Sequence, residues 1–187
     1  MPYDAPPDLA SLSLAQIAQA VAARRLPPLE TWHPAETIDS RMRIAADGTW
    51  FHEGAPIRRP GMVRAFTSLL VKGDDGWHTL VTPQCRQLIE VEDAAFLAVD
   101  LAVRDIDGGG TALALRLNTD ELVVAGPDHG LRAVGAPDCP AIYLAVRHGC
   151  EARLDRSTWL QLAEHALAAG DDLAVTSRGV RFSLVPS

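Results

Sequence analysis

The chain is almost without lysine: Lys72 stands alone, and every other basic residue is an arginine. A rigid guanidinium fork suits phosphate or carboxylate, though a GC-rich genome gives the same bias. Positive charge is also in short supply overall. The formal net charge of −7 argues against a nucleic-acid-binding face, which needs a basic surface to neutralise phosphates. Cysteine is sparse. Cys85, Cys139 and Cys150 form no CxxC and no zinc spacing, so they read as reduced thiols. The histidines are scattered without an HExxH-type pair, which leaves a metal site unsupported, and no cofactor is expected. No apolar run is long enough to span a bilayer. The opening MPYDAPPDLA has neither a basic segment nor an apolar core, so no export signal is expected and the cytoplasm is the default setting. No GxSxG, P-loop or GxGxxG is present. Gly108-Gly109-Gly110 precedes a strand and opens no helix, which makes it a poor phosphate cradle.

What is there organises around Arg41 to Arg59. Asp47-Gly48, between two alternating runs, is a strong hairpin signal. The hairpin runs into Ile57-Arg58-Arg59, and Pro60 suits the first turn of a helix expected over 60–72. Before it, Ser13 and Gln16 have capping-box spacing for a helix to about Arg24, and Trp32 sits in a connector where it must pack somewhere. After it, strands are expected at 78–82, 87–92, 94–103, 111–117, 121–126, 131–135, 141–148 and 150–154. A helix capped by Ser157 runs to about Ala169, and strands at 173–176 and 180–185 close the chain.

The two halves share an order of elements. Ile57, Arg59 and Gly73 fall 97 positions before Leu154, Arg156 and Gly170, each set spanning an Arg step, a helix and Gly-Asp-Asp. A strand ending Val-Thr follows in both, at Val81-Thr82 and Val175-Thr176. The fold class expected is therefore α+β, a duplicated core of two similar hairpin-helix-strand units. The expected division is an N-terminal tail and helix over 1–28, a first unit over 29–103 and a second over 104–187. Two such units would create a cleft, and clefts between domains are favoured ligand sites. Arg59 and Arg156, if equivalent, would both face it and grip a phosphate or carboxylate. The rival reading gives each Arg a structural ion pair.

The residues from Trp32 to Phe96 resemble a bacterial family described as domain of unknown function 1285. The resemblance rests on Ile38-Asp39, Arg43-Ile44, DGTWFHEGAPI from Asp47 to Ile57, Arg59, Leu80-Val81-Thr82-Pro83 and VEDAAF from Val91 to Phe96. Asp128-His129, Tyr143-Leu144, Val146-Arg147 and the Arg156 step extend it through the second half. The resemblance implies a duplicated α+β core with a C-terminal half superficially like a pleckstrin-homology barrel. It also implies a ligand of nucleotide type between the halves, and a role in signalling. Two departures stand out: Cys85 where the family carries Glu, and Ala95 where it carries Pro.

The candidate ligand contacts are Arg43, Trp50, His52, Arg59, Thr82, His129, Tyr143, Arg147 and Arg156. Arg59, Arg147 and Arg156 would meet phosphates, while Trp50, His52 and Tyr143 would shape the rest. Arg43 and Trp50 on one side of the hairpin suit a phosphate and a base, and Thr82 places a hydroxyl at a strand end. A core role for Trp50 and a hydrogen-bonded structural role for His52 stand beside those readings. The leading expectation is a non-catalytic binding or sensor module for a small anionic ligand. The alternatives are a hydrolase of a phosphorylated compound using His52 or His129, and a protein-interaction module.

Overall fold

The computed structural model describes residues 7–170 and 173–186. Asp171 and Asp172, the acidic pair of the second Gly-Asp-Asp, lie outside the described residues. The elements in chain order are α1 (Leu14–Ala23), β1 (Glu36–Ile44), β2 (Trp50–His52), β3 (Ala55–Pro56), α2 (Pro60–Thr67), β4 (Leu70–Lys72), β5 (His78–Val81), β6 (Cys85–Val91) and β7 (Phe96–Asp105). They continue with β8 (Thr111–Leu117), β9 (Leu122–Val124), β10 (Leu131–Ala136), β11 (Cys139–Arg147), β12 (Cys150–Leu154), α3 (Arg156–Ala169), β13 (Ala174–Ser177) and β14 (Val180–Ser183).

The fold is α+β, with two six-stranded sheets and few helices. The first sheet has the order β3-β2-β1-β6-β5-β4 and the second β10-β11-β12-β7-β8-β9. Read from its other edge, the second runs β9-β8-β7-β12-β11-β10, which is the order of the first with six added to every strand number. The duplication is thus a duplicated strand order. The helices do not follow it. α2 lies between the third and fourth strands of its sheet, whereas α3 comes after the sixth strand of the other. Arg59 and Arg156 therefore do not occupy equivalent places in the duplicated strand order, and the 97-residue register marks a different recurrence. Arg59 is the residue capping α2, while Arg156 is the first residue of α3.

The chain forms two compact units. Among the described residues the N-terminal unit comprises 25–97 together with 146–152, and the C-terminal unit comprises 7–24, 98–145, 153–170 and 173–186. This differs from the expected division at 103/104 because β7 runs unbroken through that point and the 146–152 turn folds with the N-terminal unit.

Local chemistry explains the elements of the N-terminal unit. The Asp47-Gly48 turn is closed by the Ala45 N–H donating to the Thr49 carbonyl at 2.9 Å and the Thr49 N–H donating to Asp47 Oδ1 at 2.9 Å. The hydrogen bonds from Thr49 hold the Asp47 carboxyl below its ordinary range. Helix α2 is shorter than expected, ending at Thr67. The Thr67 and Ser68 hydroxyls bond back to the carbonyls of Arg64 and Ala65 (3.1 and 2.6 Å), which competes with helical continuation. Leu70, Val71 and Lys72 then pair with Leu80, Thr79 and His78. Met42, Ile44, Trp50, Leu70, Leu80 and Ile89 are buried in this unit.

In the C-terminal unit the capping box at Ser13 and Gln16 is present. Ile17 from α1 and Leu9 pack with Ala102 and Ala114, so the N-terminal arm lies on this unit's sheet. Arg104 fixes it by donating to the carbonyls of Leu9, Ala10 and Leu12. The cap of α3 is Asp155, whose carboxylate accepts the Thr158 N–H at 2.8 Å. Ser157, the expected cap, instead donates its hydroxyl to Asp155. The buried Ser177 hydroxyl donates to the Ala125 carbonyl (2.7 Å) and accepts the Leu113 N–H (2.9 Å), tying the β13–β14 hairpin to the sheet.

Candidate functional site

The strands of the N-terminal unit expose one face of the first sheet as a groove of about 590 Å³, within the size range of ligand pockets. Strand register builds its floor. Thr37 and Val81 both pair with Arg86, and Val71 and Leu88 both pair with Thr79. Paired residues share a face, and residues two apart on a strand do too. The floor thus has two rows, Thr37-Arg86-Val81 and then Leu88-Thr79-Val71, and the exposed Asp39, which pairs with Leu88, continues the second row onto β1. Trp77, two residues before Thr79, continues the same face. The opposite face carries Leu70, Leu80 and Ile89 into the core.

Three segments wall this floor. The connector supplies Leu29, Glu30, Trp32 and His33. The turn between β4 and β5 supplies Gly73 and Asp75, whose Oδ1 accepts the Trp77 N–H at 3.1 Å. The third wall is His148, at the tip of the β11–β12 hairpin. His148 and Gly149 both have positive φ (47° and 75°), as a two-residue hairpin turn requires. The His148 carbonyl accepts the Lys72 N–H at 2.9 Å, so the tip pairs with the free edge of β4. A Cβ on Gly149 would stand 2.7 Å from the Lys72 carbonyl oxygen, so glycine is needed there.

The lining is mostly apolar by area, with Arg86 in the floor and Glu30 and Asp75 in the walls. Asp75 is engaged in its turn. Burial pushes the His148 imidazole below its ordinary range, and Arg147 pushes the same way while Glu30 opposes it. Arg86 has no acidic partner among the described residues. Trp77 is 62% exposed, unusual for so large an apolar ring.

None of the nine residues singled out from sequence lines this groove. Arg43 is ion-paired with Glu92 and stacks 4.4 Å over Phe51, its partner across the hairpin. Trp50 is 1% exposed and stacks on Phe66, with centroids 6.0 Å apart, which leaves its ring no face for a ligand. His52 is exposed at the end of β2. The Thr82 hydroxyl closes its own turn, donating to the Cys85 carbonyl and accepting the Cys85 N–H (2.9 and 3.1 Å). Arg147 donates to the Thr67 carbonyl at 3.0 Å and lies 5.0 Å over Phe96; burial lowers its pKa to about 10. Arg59 and Arg156 are exposed. In the C-terminal unit His129 donates Nδ1–H to the Ala145 carbonyl at 2.9 Å, and Tyr143 is covered by Arg132 at 4.5 Å.

The sequence signals for the groove are weak. They are a Trp stranded in the connector, a second Trp directly after a Gly-Asp-Asp-Gly turn, and polar residues alternating with apolar ones along β5 and β6. Among the described residues no group of three or more His, Cys, Asp or Glu side chains is placed to hold a metal ion. No helix among them is long and apolar enough to cross a membrane.

Fold and groove together define a two-unit α+β protein with a duplicated sheet and a mostly apolar groove on the first sheet. Residues 27–94 match the family model "Domain of unknown function (DUF1285), N-terminal domain", and residues 95–184 match "Protein of unknown function (DUF1285), C-terminal domain". The chain belongs to the DUF1285 family. A crystal structure of a DUF1285 family protein from Silicibacter pomeroyi DSS-3 is similar at 34% identity, covering 93% of this chain and 95% of that one, with a TM-score of 0.74. One from Shewanella baltica OS155 shares the fold at 24% identity, over 66% of this chain and 90% of that one, with a TM-score of 0.52. No curated protein matches the chain.

Proposed function

We propose that the protein is a non-catalytic binding module for a small anionic ligand, working in the cytoplasm as a sensor. The observation that supports this most directly is the groove of the N-terminal unit, where Arg86 stands without an acidic partner among the described residues beside an apolar floor. An unpaired guanidinium beside apolar surface is matched by a ligand that brings one negative charge and some apolar area. Trp32 and Trp77 add ring faces. A nucleotide is one ligand class of this description, and the resemblance in sequence favours it. A junction between the halves, with Arg59 and Arg156, is the rival location within the same reading.

A thermal-shift screen of the whole chain tests it, with inorganic phosphate, nucleotides, phosphorylated metabolites and organic carboxylates as probes. A ligand at 100 times its dissociation constant adds about 2.7 kcal/mol of stability. At least one anionic compound is expected to stabilise the wild type and to lose that effect in Arg86→Ala. Loss in Arg59→Ala and Arg156→Ala, with Arg86→Ala unaffected, would move the site to the junction. No stabilisation by any anion would overturn the reading. Turnover of a phosphorylated probe, abolished by His52→Ala or His129→Ala, would replace it with the hydrolase alternative.

A further inference from the structure

The order of chemistry along the groove floor narrows the class of ligand, an inference that rests on the binding-module reading. Arg86 pairs with Val81, and Trp77 lies four residues earlier on the same strand line. At a rise of roughly 3.3 Å per residue, the backbone positions that carry the cation and the exposed indole are about 13 Å apart along the floor. Between them the strands present Leu88, Thr79 and Val71, with the exposed Asp39 paired to Leu88 at the β1 side, and among the described residues Arg86 is the one arginine or lysine in the groove lining. A nucleotide needs polar contacts for its sugar and base edges throughout its length. This floor offers instead a cationic end, a middle of Leu88 and Val71 edged by Thr79 and Asp39, and an aromatic far end.

We propose that the groove takes an elongated anionic amphiphile, a free medium-chain carboxylate, with its head on Arg86 and its hydrocarbon laid over Leu88 and Val71 toward Trp77. Charge complementarity fixes the direction. The acidic residues around the floor are Glu30 from the connector, Asp75 from the turn beside Trp77, and Asp39 and Glu90 on the floor strands beyond the Arg86 row; none lies on that row itself, so the head of an anion is matched there alone. The exposed Trp77 ring gains cover when a chain reaches it, and a shorter chain leaves it bare.

The test is calorimetric titration of the whole chain with hexanoate, octanoate and decanoate below their aggregation concentrations, with decanol, inorganic phosphate and adenosine monophosphate as comparison probes. The expected result is affinity that rises roughly fourfold per methylene. Arg86→Gln should weaken decanoate by about tenfold or more while leaving the melting temperature in place. Trp77→Ala should weaken decanoate and spare hexanoate. Equal binding of decanol and decanoate, or no effect of Arg86→Gln, would overturn the assignment of the head. Binding of adenosine monophosphate that is lost in Arg86→Gln, with no carboxylate binding, would overturn the amphiphile and leave the binding-module reading standing. Binding of none of the probes would overturn the amphiphile, and the binding-module reading falls with it when the wider anion screen also shows no stabilisation.

Discussion

Cys150 offers a test of how the N-terminal unit is packed. Its thiol is 1% exposed beside the Leu70 carbonyl, and burial pushes it up to about 11 from an ordinary 9.0, against the pull of Arg147 and Lys72. In the unfolded chain the thiol ionises near its ordinary value, so above that pH the unfolded state holds fewer protons than the folded one. Stability is therefore full below pH 9.0 and is lost as pH rises toward about 11. Each tenfold difference in proton affinity between the two states is worth about 1.36 kcal/mol, so the loss attributable to this thiol reaches roughly 2 to 3 kcal/mol. Cys150→Ala removes the titration and costs about 1 kcal/mol of buried surface at neutral pH. The variant should thus be the less stable protein at neutral pH, and the two stability curves should cross near about pH 10. Urea unfolding followed by tryptophan fluorescence suits the measurement, because Trp32, Trp50 and Trp77 all lie in this unit. Alkaline titrations of groups that do not touch Cys150 are common to both proteins and cancel in the difference, whereas Arg147, which the Cys150 thiolate helps to keep charged, titrates together with it. A stability gap that stays constant from neutral pH to about pH 11 would refute the burial argument.

Other expectations concern the C-terminal unit. Ser177→Ala removes a hydroxyl that serves two buried backbone groups and should cost about 2 to 4 kcal/mol in denaturant unfolding. Asp155→Ala should cost about 1 kcal/mol through loss of the α3 cap. Ser157→Ala should stay within about 0.5 kcal/mol, since that residue is not the cap; equal costs at the two positions would contradict the assignment.

The elements are legible in the sequence wherever a local signal sets them. Asp47-Gly48 announces its hairpin, and Ser13 with Gln16 announces α1, because those residues make the closing hydrogen bonds themselves. The duplication is legible as an idea but not in its register. Gly-Asp-Asp and an Arg step recur 97 residues apart, yet sheet pairing, which is long-range, sets the strand order and places the two helices differently within it. Helix α2 reads longer than it is because Leu69 and Leu70 continue its apolar stripe, and only pairing with β5 reveals β4 as a strand. Trp50 reads more readily as a core residue than as a stacking platform and Arg43 reads as a phosphate contact, and tertiary contacts with Phe66, Phe51 and Glu92 occupy both. The groove is hidden because its floor is assembled from strands distant in sequence, and one wall comes from residue 148, far along the chain.

Hydrogen–deuterium exchange of the whole chain with and without decanoate tests the central claim most directly, that the ligand lies on the exposed face of the first sheet. Slowed exchange is expected, confined to residues 29–33, 71–79 and 86–88 and to the hairpin tip at 148–149. Protection that spares these segments and falls around Arg59 and Arg156, or no protection anywhere, would contradict it.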